Sequence, residues 1–588
     1  MNSPTLSLLQ ALPRRCRFIT VGIAAVLVLP ALFGREPVEG QKAMVVSGQH
    51  LASEAGASIM RAGGNAIDGA VATGLALAVT LPKAGNLGGG GFMIIHRANG
   101  RSVALDFREV APLAAHRDMY LDESGAPVTM RSRQGYLANG VPGTVAGLEH
   151  AWKHYGSGKV SWPDVVEPAR RLAAEGFVMS PTFAQHLVAH RERFESNPES
   201  HRIFSRDGNH YAAGELFRQP DLAATLARIQ QHGAKDFYHG ETADLIVKDQ
   251  RNGGGLITHE DLAQYRPIER EAIRGKYRGY EFITMPPPSS GGIALMQILG
   301  MLEPYDLAKL QLHSAQYSHL VVEAMRRAFH DRALYLGDPD FYDVPQAELT
   351  HPSYISRMMR DFDPLRASSS DELESSLSAA TESTETTHFA AADSEGNVAS
   401  STYTLNGNYG NSVTVAGAGF LMNNEMDDFT AKVGVKNQYG LLQSEANAVL
   451  PGKRPLSSMT PTIVLKDGRP FLTVGAPGGP TIITTVLQIM LNVIDHELPL
   501  TLAVDTPRFH HQWQPDRIQH EPLFSSPDTI ETLRNMGHEF ALRRLYSHES
   551  NRVARYFGDA ESIMFEAEIG LLLGVSDSRN PDAAPSGF

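Results

Sequence analysis

The sequence predicts a mixed α/β protein, and three observations carry that prediction. Residues 65–80, NAIDGAVATGLALAVT, are dominated by small and apolar residues, the composition of a helix buried on most of its faces. Residues 140–350 alternate Gly/Pro punctuation with stretches of helical apolar spacing, of which TFAQHLVAHRERF and AQYSHLVVEAMRRAFHDRALYL are the clearest. From Thr386 the character changes, and THFAAAD, NVASSTYTL, TPTIVLKDG and PFLTVGAPG follow one another as short strands. The chain therefore divides into a helix-rich first part with some strands and a strand-rich last part, 386–588.

The bulk composition sets limits on the class. With 588 residues, 42% hydrophobic and 20% charged, the chain has ample material for a large core. A formal net charge of −13 gives no reason to expect nucleic acid as a partner. The start of the chain differs from the rest. PRRCRFITVGIAAVLVLPALFGRE sets Arg14, Arg15 and Arg17 before an apolar run from Phe18 to Gly34. That is the charged and apolar pattern of a secretory signal, and the run falls short of the ~20 residues a spanning helix needs. Residues 1–35 are read as a signal peptide, with an uncleaved N-terminal anchor as the alternative. Cys16 is the single cysteine and precedes the run. A mature chain starting near Glu36 forms no disulfide, so its stability comes from the core. The expected destination is the periplasm or the cell surface.

Along the chain, a glycine loop, LPKAGNLGGGGFMIIH (81–96), runs into a strand at Phe92–His96. VALDFREVAP (103–112) reads as a second strand ending at Arg108, and MPPPSSGG (285–292) as a loop. Residues 366–385, RASSSDELESSLSAATESTE, carry seven serines and no aromatic and read as an exposed, mobile segment. GGGG at 88–91 precedes a strand instead of linking strand to helix, so the dinucleotide order fails and tight backbone packing is the better reading. FHHQW (509–513) lies in no metal-binding pattern, and a structural role is favoured.

The hairpin beside Thr386 raises the question of chemistry. DSEGN (393–397) is a turn cluster between two strands. Pairing centred on Glu395 sets Thr386 opposite Thr404 with both side chains on one face. A slip of one residue turns Thr404 away. Two threonines here also follow from β-propensity alone. A threonine hydroxyl is a weak nucleophile until a base takes its proton. Cutting the Glu385–Thr386 bond gives Thr386 an α-amine with a reference pKa of about 7.7–8.0, which suits a general base near neutral pH. One residue then carries nucleophile and base together.

Several longer stretches resemble one family. TTHFAAADSEGNVASSTYTLN, MNNEMDDF, RPLSSMTPTIV and GAPGG resemble the small subunit of the γ-glutamyltranspeptidases. GGNAIDGAVATGLALAV, GNLGGGGFMIIH, DFREVAP, GVPGTVAGL and MPPPSSGG resemble the large subunit, in the same order. The resemblance runs from about residue 42 to the C-terminus. It implies a four-layer αββα sandwich of the N-terminal-nucleophile hydrolase type, made as a precursor that cuts itself between Glu385 and Thr386. Residues 36–385 would form the large subunit and 386–588 the small one, held together non-covalently by a shared core.

The resemblance also implies a set of roles. Thr386 is the nucleophile and Thr404 orients it. Gly478 and Gly479 offer backbone N–H groups to an oxyanion. Arg108 with Ser457 and Ser458 binds the substrate α-carboxylate, and Glu425 and Asp428 bind the α-amino group, with Asn406 orienting the substrate. VGVKNQYGLLQS (433–444) resembles a lid loop whose Tyr439 closes over the site against Asn406; an ordinary surface loop is the alternative. No metal or organic cofactor is implied. The implied activity is transfer of a γ-glutamyl group from glutathione or related compounds to amino acids, peptides or water. The alternatives are a glutaryl or cephalosporin acylase on the same fold and an unprocessed exported binding protein. Taken singly, Arg108 reads as an ion-paired arginine, NNEMDDF as an Asx-rich turn and LSSM as a helix cap.

Overall fold

Strand residues alternate between two apolar environments, and that alternation defines the layers. The computed structural model describes residues 35–206, 208–373, 386–543, 545–546, 553–554 and 556–588. The expected signal segment, apart from Arg35, and residues 374–385 with Glu385 lie outside the described residues. In chain order the strands of the two large sheets are β1 (Val38–Gly40), β2 (Ala43–Ser47), β3 (Gly90–His96), β4 (Ser102–Phe107), β5 (Ile268–Arg270), β6 (Ile273–Tyr277) and β7 (Tyr280–Thr284). They continue with β8 (Thr387–Asp393), β9 (Val398–Thr404), β10 (Thr462–Lys466), β11 (Arg469–Gly475), β12 (Glu561–Glu566), β13 (Leu571–Ser576) and β14 (Ser586–Gly587). One sheet has the order β1-β13-β12-β11-β10-β7-β6 and the other β14-β2-β8-β9-β3-β4-β5.

Successive residues of a strand point to opposite faces, and the buried clusters follow that rule. Met44, Val46, Phe92, Ile94, Ala390 and Ala392 meet Ile283, Ile463, Leu465 and Ile563 between the sheets. Val45, Met93, Ile95, Phe389, Ala391 and Tyr403 point the other way, into helices. Those helices include α1 (His50–Arg61), α2 (Ala66–Thr80) and α3 (Thr144–Tyr155). On the far side Val464, Leu472 and Val474 pack against α4 (Gly291–Leu302), α5 (Ala315–Tyr335) and α6 (Thr481–Ile494). The layers run helix, sheet, sheet, helix, which is the expected four-layer sandwich.

Every residue of α2 is buried, as its composition predicts. Asn65 and Asp68 close its N-terminus with a reciprocal capping box, and Tyr403 donates from its hydroxyl to the carbonyl of Gly74, 2.9 Å away. The glycines that open β3 allow close packing: a Cβ on Gly91 would lie 2.5 Å from the Thr402 carbonyl oxygen and 2.5 Å from the Tyr403 Cβ.

Three expectations need correction. The last two residues of MPPPSSGG are not loop, because Gly291 and Gly292 open α4; there a side chain would strike Thr460 and the Met285 carbonyl. The stretch TFAQHLVAHRERF is two helices, Pro181–Ala189 and Arg191–Glu195, that meet at His190. Residues 366–373 are tied down and not exposed throughout. Ser370 is fully buried, its N–H donates to Asp516 at 2.8 Å and its hydroxyl to the Trp513 carbonyl at 2.8 Å. Ala367 N–H donates to the Met536 carbonyl at 2.7 Å, and Arg326 bridges Ser370 and Asp516. The serines are there to satisfy buried charge, a use that composition alone cannot separate from disorder.

The histidines of FHHQW have structural partners. His510 pairs with Thr484 and Gln512, both at 2.9 Å, and His511 with Asp516 at 3.1 Å. Beside them His319, Glu323 and His538 come together. Their donor and acceptor atoms are engaged with each other, with Arg326 and Arg327, and with the 363–368 backbone.

Because Gly91 leaves no room for a methyl group, Gly91→Ala should lower stability by about 1–3 kcal/mol. Urea denaturation of the purified protein measures this. An unchanged midpoint would mean that β3 and β9 can separate at no cost.

Candidate active site

The register of the β8–β9 hairpin places the two threonines. Thr387 pairs with Tyr403, His388 with Thr402 and Ala392 with Val398. The pairing is centred on Glu395, and the same register set one residue further on opposes Thr386 to Thr404. Even-numbered side chains of both strands share the face between the sheets, where Ala390, Ala392 and Val398 lie. His388 and Thr402 bond across that face at 2.8 Å. Burial pushes the His388 imidazole down to about 3, so it stays neutral and is a poor base. Thr386 and Thr404 occupy the open end of this face and line one cavity with an empty volume of about 320 Å³.

Of the residues singled out from the sequence, Arg108, Thr386, Thr404, Asn406, Glu425, Asp428, Tyr439, Ser457, Ser458 and Gly479 all border that cavity. Gly478 is the chain neighbour of Gly479 and is not itself part of the wall. Both glycines have left-handed φ, 136° and 54°, which favours glycine. Their carbonyls accept from Thr481 and Ile482 in the first turn of α6. The Thr404 hydroxyl accepts from Asn406 N–H at 2.8 Å. Asn406 has φ 72°, a conformation asparagine tolerates better than most, and its amide donates to the Asn424 carbonyl at 3.0 Å. Tyr439 is buried, and its hydroxyl donates to the Asn406 carbonyl at 2.7 Å. The expected contact of the 433–444 loop with Asn406 is therefore present.

Glu425–Asp428 forms a short 3₁₀ turn, which brings the two carboxylates to one side. Asn423 anchors the turn: its side-chain oxygen accepts from Glu425 N–H at 3.0 Å, and its amide donates to the Gly88 and Gly140 carbonyls, both at 2.8 Å. Arg108 is 1% exposed. Its Nη1 pairs with Glu425, its Nη2 with Asp428 at 2.5 Å, and its Nε donates to the Pro455 carbonyl at 3.3 Å. The arginine thus holds the two acids, while Ser457 and Ser458 border the same cavity.

Burial pushes the Glu425 and Asp428 carboxyls up, and the Arg108 charge draws them back down. Burial also acts on the Arg108 guanidinium, but its three carboxylate neighbours outweigh it and the net shift is upward. Glu109 lies 3.8 Å from Arg108 Nη1, and burial raises its carboxyl to about 7 against that attraction.

Sequence reasoning missed three groups. Glu109 stands beside Arg108 in DFREVAP. Ser290 braces the serine pair: its N–H and its hydroxyl donate to the Ser457 carbonyl at 2.7 and 2.6 Å. Arg332 on α5 borders the cavity and donates to Ser290 Oγ at 3.0 Å and Ser458 Oγ at 3.1 Å. One signal was available for it. Met325, Ala328, Phe329 and Arg332 fall at i, i+3, i+4 and i+7, so the arginine lies on the buried stripe of its helix.

A family model described as gamma-glutamyltranspeptidase matches residues 52–586. The chain belongs to the γ-glutamyltranspeptidase family. Among relatives of this chain, the glutathione hydrolase proenzyme of Escherichia coli is 44% identical over 553 residues, covering 94% of this chain and 93% of that one. A cephalosporin acylase of Bacillus halodurans superposes with a TM-score of 0.80 at 27% identity, covering 95% of this chain and 97% of the other. A γ-glutamyltranspeptidase chain of Helicobacter pylori is 47% identical with a TM-score of 0.53, covering 54% of this chain and 91% of its own.

The Glu109 carboxyl ionises near 4.5 when exposed and is raised to about 7 by burial in the folded protein. A raised carboxylate favours the folded state at low pH, so this contribution is lost as pH rises from about 4.5 through about 7. In Glu109→Gln the component is absent. Its denaturant midpoint should therefore change less than wild type between about pH 5 and pH 8. Equal changes would mean that Glu109 titrates as an ordinary surface carboxyl.

Proposed function

We propose that the protein cleaves the γ-glutamyl amide of glutathione and related compounds and passes the γ-glutamyl group to amino acids, peptides or water. The observation that carries this reading is the meeting of Thr386 with two carboxylates, two guanidiniums and a serine pair in one buried cavity. A γ-glutamyl donor presents an ammonium and a carboxylate on one carbon and an amide three carbons away. Glu425 and Asp428 suit the ammonium, and the arginine and serine groups suit the carboxylate. The amide then falls at Thr386.

The sequence of steps follows from the groups present. In the precursor the Thr386 hydroxyl attacks the Glu385 carbonyl carbon, the C–N bond breaks and an ester forms. Water opens the ester, leaving Glu385 as a carboxylate and Thr386 with a free amine. That amine takes the hydroxyl proton as Thr386 Oγ attacks the γ-carbonyl of a donor. Backbone N–H groups of Gly478 and Gly479 stabilise the oxyanion, a contribution of about 2.7–4 kcal/mol per donor. Thr404 and Asn406 hold the hydroxyl and the donor in line, and Tyr439 covers the site. Collapse passes the proton to the leaving amine and leaves a γ-glutamyl ester on Thr386. Water or an acceptor amine then releases the group. The word proenzyme in the name of the Escherichia coli relative supports the processing step.

Two subunits, 36–385 and 386–588, remain associated without covalent links, since each of the two large sheets contains strands from both. Export is inferred from the 1–35 pattern. Among the described residues no helix is long and apolar enough to cross a membrane. A glutaryl or cephalosporin acylase is the second reading, favoured by the fold likeness to the Bacillus halodurans enzyme. It ranks second because a glutaryl group has no ammonium for the paired acids.

Thr386→Ala should remain one chain by intact mass under denaturing conditions and show no turnover, whereas wild type should give two chains, the smaller beginning at Thr386. A processed, active Thr386→Ala would sink the assignment. Asp428→Asn should lose more activity on γ-glutamyl than on glutaryl anilides. Equal losses would contradict recognition of an ammonium by Asp428.

A further inference from the structure

Arg332 differs from the other arginines buried around the sheets. Arg108, Arg326, Arg327 and Arg508 each lie within ion-pair distance of a carboxylate. Among the described residues no carboxylate approaches Arg332 within that range. Its Nε and Nη2 donate to two serine hydroxyls, Ser290 and Ser458. Its Nη1 has no hydrogen-bond partner among the described residues and is buried. Burial brings its pKa down to about 10, opposed by Asp428, so it remains charged at neutral pH.

A buried guanidinium without a counter-ion is costly, and a missing N–H partner adds to that cost. Such a group persists beside a cavity when a ligand supplies the anion. We propose that Arg332 is a second carboxylate-recognition group of the donor site, its guanidinium meeting the substrate α-carboxylate beside the Ser458 hydroxyl that it also orients. The inference rests on the γ-glutamyl reading above and extends it. Arg108 is already balanced by Glu425 and Asp428. Arg108 and Arg332 face Glu425 and Asp428 across the wall, with Glu109 beside Arg108, so the wall offers charges of both signs to a zwitterion. Removing Arg332 takes one positive charge from the wall, which disfavours the α-carboxylate and leaves the ammonium site intact.

The test compares L-glutamate with 4-aminobutyrate, which keeps the amine and the distal carboxylate and lacks the α-carboxylate. Both are used as inhibitors of γ-glutamyl anilide hydrolysis and as titrants in calorimetry of the processed protein. Arg332→Gln should weaken L-glutamate binding about tenfold or more and leave 4-aminobutyrate unchanged. The anilide KM should rise more than kcat falls. Arg332→Lys, which restores a charge without the planar fork, should recover part of the loss, and it carries the comparison if the glutamine variant does not fold. Unchanged affinity for L-glutamate, or equal weakening of both ligands in both variants, would overturn the proposal. Wild type that fails to hydrolyse the anilide would refute the γ-glutamyl reading instead, and calorimetry would still decide the role of Arg332.

Discussion

The structure depends on one strand pair. β8 and β9 run side by side at the middle of their sheet, with β2 on one flank and β3 on the other. Both flanking strands come from the first part of the chain, so neither edge of the hairpin is free. The even spacing of the pair sends one set of side chains between the sheets and the other into the helices. Thr386 sits at the last position before this pairing begins. A cut made there would leave every strand of the hairpin hydrogen-bonded on both sides and the core between the sheets intact. The same constraint would hold a new chain end beside Thr404.

Charge buried in the cavity wall is the second organising feature. Arg108, Glu425 and Asp428 come from segments more than 300 positions apart in sequence, yet they form one cluster. None of the three is cheap to bury alone, and each lowers the cost of the others. Glycine carbonyls at 88 and 140 hold the acidic turn through Asn423. The loop 285–290 holds the serine pair from the other side. Rigid support on both sides keeps the opposed charges at a spacing that suits a small zwitterion, a requirement for recognition by geometry and not by bulk charge.

Much of this was legible in the sequence, and the limits are physical. The hairpin register was readable because a five-residue turn leaves little freedom in how its strands pair. The burial of α2 was readable because small and apolar residues dominate it and leave no continuous polar face. The serine-rich stretch was only half readable. Composition marks a segment as unable to form a core of its own, but not whether neighbouring charges will bind it, as Arg326 and Asp516 bind Ser370. Arg332 was harder still. An arginine on a helix is ordinarily a surface group, and its place on an apolar stripe is weak evidence against many exposed counterexamples.

By itself the sequence determined the elements, the threonine pair and, through its motifs, the family and the set of residues that converge on the cavity. These are local properties or patterns of residue type, and a linear reading can hold them. The tertiary structure decided which charges meet. It joined Arg108 to the two acids, left Arg332 with hydroxyl partners instead of a carboxylate, and anchored residues 366–373. Those outcomes turn on desolvation and on distances between groups far apart in the chain, and neither exists until the layers have packed.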